Sequence, residues 1–114
     1  MILKNKVAFV TGGSRGIGKQ ISISLAKAGA KVVLTYQNKK KNADEVASII
    51  KDSGGSALVQ QLDVRNREAV KKAMSECVNY YGEIDILVNC AGINKPTDFD
   101  KVEDKDWDEI LEVN

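Results

Sequence analysis

The fold is decided by residues 7–18, which read Val7-Ala8-Phe9-Val10-Thr11-Gly12-Gly13-Ser14-Arg15-Gly16-Ile17-Gly18. The short apolar run at the start is typical of a buried β-strand, and from Ile17 onward the apolar residues recur with helical spacing. The glycines between them permit a tight turn and a close approach of backbone to a pyrophosphate, and the following helix start offers free N–H groups and partial positive charge. This unit predicts a phosphate-bearing ligand at the loop. The alternative is a connection that serves packing alone.

The same alternation continues along the chain. Further strands are predicted at Val32 to Leu34, Ser56 to Leu62 and Ile86 to Val88, because these runs are short and largely apolar. Helical stripes separate them, at residues 17–28, 43–50 and 70–81.

Glycines and one asparagine mark the predicted helix ends. Gly29, the pair Gly54 and Gly55, and Gly82 follow the three stripes, as C-terminal caps do, and Asn66 is placed to cap the third helix at its N-terminus. The order strand, helix, strand, helix, strand, helix, strand predicts an α/β fold, a doubly wound parallel sheet of the Rossmann type. We expect residues 1–114 to form one dinucleotide-binding domain. A last helix is expected to begin near Glu103 to Asp106 and to reach Asn114, leaving the fourth strand with an exposed apolar edge.

The composition argues against several classes of function. The 114 residues carry 17 Lys and Arg against 16 Asp and Glu, for a net charge of +1, without a basic stripe that would indicate nucleic acid. The run Lys39 to Lys41 is either a solvated helix start or a cationic group near an anionic ligand. Two cysteines and no histidine make a metal site or a disulfide framework unexpected. With neither a leader nor a membrane-spanning run in the sequence, a cytoplasmic location is expected.

A P-loop is the main competing interpretation of the glycine loop. Gly13, Gly18 and Lys19 have P-loop spacing, but Gln20 stands where Ser or Thr should bind magnesium. The fourth predicted strand also runs into Asn89 rather than the acid that would hold the same ion. Nucleotide hydrolysis is therefore not expected.

Three motifs at predicted strand ends carry a family resemblance. They read Thr11-Gly12-x-x-x-Gly16-x-Gly18, Leu62-Asp63-Val64 and Asn89-Cys90-Ala91-Gly92. Together they resemble the short-chain dehydrogenase/reductase family, and the opening residues 6–18 are most similar to its 3-oxoacyl-[acyl-carrier-protein] reductases. Cys90 departs from the family's usual Asn-Asn-Ala-Gly.

The resemblance implies a set of nicotinamide dinucleotide contacts. Asp63 would accept a hydrogen bond from the adenine amino group, although it could instead serve only to start a helix, and the Val64 backbone would read the ring. Asn89 would steady the sheet, and the backbone at Ala91 and Gly92 would lie beside the nicotinamide ribose. The complete predicted cofactor set is Gly12, Ser14, Arg15, Gly16, Ile17, Gly18, Tyr36, Asp63, Val64, Asn89, Ala91 and Gly92.

The end of the second strand favours NADP over NAD. Tyr36 stands where NAD-preferring members of the family carry an acid for the ribose 2′-hydroxyl. Without that acid a 2′-phosphate is not repelled, and Arg15 can donate charge-assisted hydrogen bonds to it. Arg15 could alternatively be a surface residue of the turn.

The expected catalytic contribution of these residues is small. Asn114 resembles the family's active-site Asn, while the family's Ser and Tyr-x-x-x-Lys would lie downstream, so residues 1–114 alone are expected to be inactive. The resemblance implies that the full-length protein uses NADPH to reduce a carbonyl. Its similarity to the 3-oxoacyl-[acyl-carrier-protein] reductases implies a 3-oxoacyl thioester as the substrate, acyl carrier protein as a partner, and assembly into a homo-oligomer, either a dimer or a tetramer. A non-catalytic dinucleotide-binding or scaffold module is the alternative.

Overall fold

The structure, a computed structural model, describes residues 2–90 and the backbone of 111–113. The strands are β1 (Val7–Thr11), β2 (Lys31–Tyr36), β3 (Ala57–Gln61), β4 (Ile86–Asn89) and β5 (Leu111–Val113). The helices are α1 (Gly16–Lys27), α2 (Lys40–Asp52) and α3 (Arg67–Tyr81). They form one sheet of order β3-β2-β1-β4-β5, in which the first four strands are parallel. The predicted doubly wound α/β fold is confirmed.

Two apolar cores lie on opposite faces of the sheet. Val10 and Leu34 pack with α2 residues such as Val46 in one core, and α1 contributes partly buried side chains to it. Phe9 on the other face packs with Cys77 of α3. All five residues of β1 are buried, which explains why its sequence is continuously apolar up to Thr11 rather than alternating.

The helix ends follow the predicted capping. The Asn66 side chain accepts a hydrogen bond from the Ala69 backbone N–H at 3.1 Å, and Gly82 adopts a left-handed conformation with φ 95° while its N–H donates to the Val78 carbonyl at 2.7 Å. Such caps satisfy backbone groups that a helix leaves without partners. None of the helices among the described residues is both long and apolar enough to cross a bilayer.

The prediction for the C-terminal residues needs correction. Leu111–Val113 form a strand antiparallel to β4, so a helix reaching Asn114 is wrong for these residues, and the edge of β4 is paired rather than open. The physical reason is that an edge strand presents unpaired N–H and C=O groups, which a short extended segment satisfies directly. The predicted helix start, Glu103 to Asp106, and Asn114 itself lie outside the described residues.

The topology places a crevice at one edge of the sheet. The chain proceeds outward from β1 to β2 and β3, then returns to the other side of β1 to form β4. In open parallel sheets the carboxyl ends of the strands at such a reversal are the usual ligand site. The loops after β1, β2 and β3 meet at this edge, and β4 ends at Asn89 on the same edge.

Candidate functional site

The glycine loop is tied to the end of the neighbouring strand β2. The Gly12 N–H donates to the Thr35 hydroxyl and the Gly13 N–H to the Thr35 carbonyl, each at 3.1 Å. Thr35 is buried, so these bonds are protected from water. They fix the loop where β1 ends, which gives the following helix a defined starting point.

Gly18 lets α1 approach the loop more closely than any other residue would. A Cβ placed on Gly18 would lie 2.0 Å from the Gly12 carbonyl oxygen and 2.8 Å from its carbon. Ser22, buried one turn later, donates to the Gly18 carbonyl within the helix at 2.8 Å and to the Gly13 carbonyl of the loop at 3.4 Å. The close approach therefore depends on backbone packing.

The start of α1 has the features of an anion site. Arg15 precedes the helix in an extended conformation, no side chain caps the helix, and its first turn carries no acidic residue. The Lys19 N–H donates to the Arg15 carbonyl at 3.2 Å, which is the first hydrogen bond of the helix. The N–H groups of residues 16–18 come before this bond, where a helix offers them no carbonyl partner of its own. The Ile17 side chain packs against the core, so this residue can contribute to a ligand only through its backbone.

A crevice of about 400 Å³ lies beside the loop. It brings together six of the predicted cofactor residues from the carboxyl ends of three strands and the loops that follow them. These are Gly12, Ser14, Arg15, Tyr36, Asp63 and Val64.

The remaining predicted residues lie elsewhere. Gly16, Ile17 and Gly18 form the adjacent helix start without lining the crevice. Asn89 accepts a hydrogen bond from the Thr11 hydroxyl at 2.8 Å, which joins the ends of β1 and β4. Ala91, Gly92 and Asn114 lie outside the described residues.

Cys90 follows Asn89 and is buried. Its backbone N–H donates to the Thr11 carbonyl at 3.1 Å. Burial raises the pKa of the Cys90 thiol to about 11. Because the thiolate is the nucleophilic form of cysteine, burial and the raised pKa both disfavour a nucleophilic role for Cys90 near neutral pH.

Asp63 is held by an arginine two residues away. Its Oδ1 accepts from the Arg65 backbone N–H and from Nε, both at 3.0 Å, and its Oδ2 accepts from Nη2 at 2.8 Å. The side-chain bonds from Arg65, followed by the backbone bond, lower the pKa of Asp63 to about 2. The same side-chain bonds raise the pKa of Arg65. Asp63 therefore remains a carboxylate at every physiological pH.

The charge of the crevice is predominantly positive. Among the described residues that line it, three are cationic, Arg15, Lys39 and Arg65, and one, Asp63, carries a carboxylate. Among the described residues, no group of His, Cys, Asp and Glu side chains is arranged to hold a metal ion. The crevice is suited to an anionic ligand with polar edges.

Comparison with known proteins identifies the family. The model of the short chain dehydrogenases matches residues 6–114. The chain belongs to the short chain dehydrogenase family.

Relatives of the chain within this family are known in sequence and structure. It is 37% identical to the 3-oxoacyl-[acyl-carrier-protein] reductase FabG of Staphylococcus epidermidis, over 96% of this chain and 45% of that protein. A dehydrogenase/reductase from Sinorhizobium meliloti 1021 matches with a TM-score of 0.79 at 46% identity, over 94% of this chain and 42% of that one. A short chain dehydrogenase from Burkholderia cenocepacia J2315 in complex with NADP matches with a TM-score of 0.79 at 38% identity, over 96% and 45%. The chain thus spans a little under half the length of these relatives.

Several crevice residues of this family member were not singled out from the sequence. Thr35 binds the glycine loop through its hydroxyl, whose position depends on strand register. Arg65 follows Asp63 by two residues after β3, and this spacing was the sequence signal for the pair. In the lysine run, Lys39 lines the crevice, and Lys40 and Lys41 are exposed residues at the start of α2. The other unpredicted lining residues are Gln37, Asn38, Asn42 and Leu62.

Proposed function

We propose that this chain is the dinucleotide-binding part of an NADP(H)-dependent oxidoreductase that transfers hydride between the nicotinamide and a carbonyl or alcohol substrate. The observation that carries the proposal is the cationic crevice at the ends of β1, β2 and β3, which has no acid at the end of β2. An acid there would repel a phosphate on the ribose 2′ position. The related Burkholderia cenocepacia dehydrogenase, which was crystallised with NADP, supports the same assignment.

The loop and the start of α1 fit a pyrophosphate. The backbone N–H groups of residues 16–18 precede the first helical hydrogen bond, and the helix dipole adds partial positive charge at the same place. Gly18 keeps this helix start against Gly12, since any larger residue would meet backbone. Gly12, Ser14 and Gly16 complete the proposed phosphate loop.

Asp63 retains the capacity to bind an adenine amino group. An ionised carboxylate offers about four acceptor positions. Arg65 uses two on Oδ1 and one on Oδ2, so an acceptor position on Oδ2 remains. In the proposal this oxygen receives the adenine amino N–H, the Val64 backbone reads the ring edge, and Arg15 with Tyr36 lies at the ribose 2′ position.

The nicotinamide, when bound, supplies or accepts the hydride. For this chain's own residues we propose that Asn89, Ala91 and Gly92 border the nicotinamide ribose and that Asn114 holds a water for proton transfer. We further propose that the dinucleotide-binding domain spans residues 1–114 and that the family's Ser and Tyr-x-x-x-Lys lie downstream. The Tyr would protonate the developing alkoxide.

The proposed substrate class is a 3-oxoacyl thioester, presented on acyl carrier protein. The 37% identity to the Staphylococcus epidermidis reductase supports it. A cytoplasmic location and a homo-oligomeric assembly complete the proposal, and both rest on the resemblance to that group.

The test uses the full-length protein that carries these residues. NADPH absorbance is followed with a 3-oxoacyl thioester, with a simple ketone, and with no substrate. We expect oxidation that depends on the thioester, with an Asn114→Ala variant slowed by about a hundredfold or more, as for loss of a general acid–base element. Tight NADPH binding without thioester turnover would contradict the substrate class, and absence of NADPH binding would contradict the cofactor assignment.

A further inference from the structure

We propose that Arg65 is a specificity-determining residue, which selects dinucleotides that carry a phosphate on the adenosine ribose. The inference rests on the proposed function, because it concerns the same crevice. It adds a cation from the loop after β3 to the residues already proposed to bind the 2′-phosphate, which are Arg15 of the glycine loop and Tyr36 at the end of β2. The expected ligand chemistry is a phosphate dianion attached to a nucleoside.

The Arg65 guanidinium is held by Asp63 while three of its five N–H donors stay free. Nε and Nη2 bind the two oxygens of Asp63, at 3.0 and 2.8 Å, in a bidentate arrangement. Within the described residues Nη1 makes no hydrogen bond, and one N–H of Nη2 is likewise unused. The side chain is 79% exposed and lines the crevice. An arginine already ordered by one carboxylate loses less conformational freedom when it binds a phosphate.

The pair with Asp63 also controls the charge that a ligand meets. Asp63 is the one acid among the lining residues that the structure describes, and its charge would oppose a phosphate bound nearby. Arg65 offsets that charge at hydrogen-bond distance. Removal of Arg65 would take away one cation and expose one anion, and both changes would act on a phosphate dianion far more than on a neutral amino group.

The competing explanation is that Arg65 acts only by positioning Asp63. In that case its loss would weaken adenine binding by the same factor whether or not the ribose carries a phosphate. The two explanations differ in a ratio of affinities, which can be measured with adenosine 2′,5′-bisphosphate and 5′-AMP as well as with NADPH and NADH.

The experiment compares Arg65→Gln, Arg65→Lys and the control Arg67→Gln in the full-length protein. Arg67 is the first residue of α3, exposed and outside the crevice. Affinities for the four ligands are measured by titration at low and high salt, with circular dichroism as a check of folding.

We expect Arg65→Gln to reduce the preference for adenosine 2′,5′-bisphosphate over 5′-AMP by about fivefold, the upper range for an exposed charge pair. Arg65→Lys should keep part of the preference, Arg67→Gln should keep all of it, and high salt should shrink the difference. An unchanged preference in Arg65→Gln, or equal losses for both nucleotides, would overturn the proposal while leaving the proposed function intact. If the unmutated protein binds neither dinucleotide, the proposed function fails as well.

Discussion

The contact between Gly18 and the glycine loop makes Gly18→Ala an informative perturbation. Gly18 is not among the residues with positive φ, so alanine fits its backbone conformation, and in a helix interior this change would normally stabilise by about 1 kcal/mol. Here the added Cβ would lie 2.0 Å from the Gly12 carbonyl oxygen and 3.0 Å from the Gly13 Cα. Both neighbours are backbone and are held by Thr35, so they cannot move aside cheaply.

The expected magnitude follows from these opposing effects. Overpacking of this kind costs roughly 1–3 kcal/mol, and a contact this short with backbone belongs at the upper end. After the gain in helix propensity, we expect a net loss of about 2 kcal/mol in the free energy of unfolding. Displacement of the helix start should also weaken NADPH binding by about tenfold, which corresponds to one charge-assisted hydrogen bond.

The assay is urea unfolding of the full-length protein, with NADPH titration on the same samples. Gln20→Ala is the matched control, because Gln20 is exposed on the same helix and its replacement should change stability by only a few tenths of a kcal/mol. If Gly18→Ala proves as stable as Gln20→Ala and binds NADPH equally well, the close approach of α1 to the loop is not what shapes the site.

Four further outcomes are expected. Tyr36→Asp should reduce the preference for NADPH over NADH by about tenfold, because the new carboxylate repels the 2′-phosphate. Fluorescence titration measures this preference, and an unaltered preference would mean that the phosphate lies elsewhere. Asn66→Ala should lower the free energy of unfolding by about 1 kcal/mol because α3 loses its N-cap, and the exposed Asn79→Ala on the same helix should not match that loss. The pKa of the Asp63 carboxyl, followed by NMR, should be about 2 and should rise toward 3.8 in Arg65→Gln. Because the pKa is lowered in the folded state, the pair with Arg65 stabilises the fold fully above about pH 4, and this stabilisation is lost as the pH falls through 2. A wild-type pKa near 3.8 would contradict the ion pair. Residues 1–114 expressed alone should show no reductase turnover with a 3-oxoacyl thioester, because the proposed proton donor is absent, and measurable turnover would show that the acid has been misplaced.

Sequence patterns were sufficient for the fold because its determinants are local. The β-branched runs, the helical stripes and the caps at Asn66 and Gly82 each lie within a few residues of the element they define. Right-handed crossovers then leave few arrangements of four parallel strands. The prediction failed at Leu111–Val113, because these residues pair with β4 through a contact that no short window of sequence contains.

The site was predicted less completely because it is assembled from distant loops. Six predicted residues meet in the crevice, since motif spacing places them at strand ends on the same edge of the sheet. Thr35 and Arg65 were missed because their roles depend on which atoms they face: a loop N–H for Thr35 and a neighbouring carboxylate for Arg65. Side-chain direction of this kind becomes evident only once strand register and loop conformation are known.

Binding of a dinucleotide with a 2′-phosphate in the crevice can be tested by the ratio of the dissociation constants for NADH and NADPH. The measurement is a fluorescence titration of the full-length protein with each cofactor at matched ionic strength. We expect NADPH to bind at least about tenfold more tightly, because Arg15, Lys39 and Arg65 line a crevice whose β2 end carries no acid. Equal affinities for the two cofactors, or tighter binding of NADH, would contradict the account.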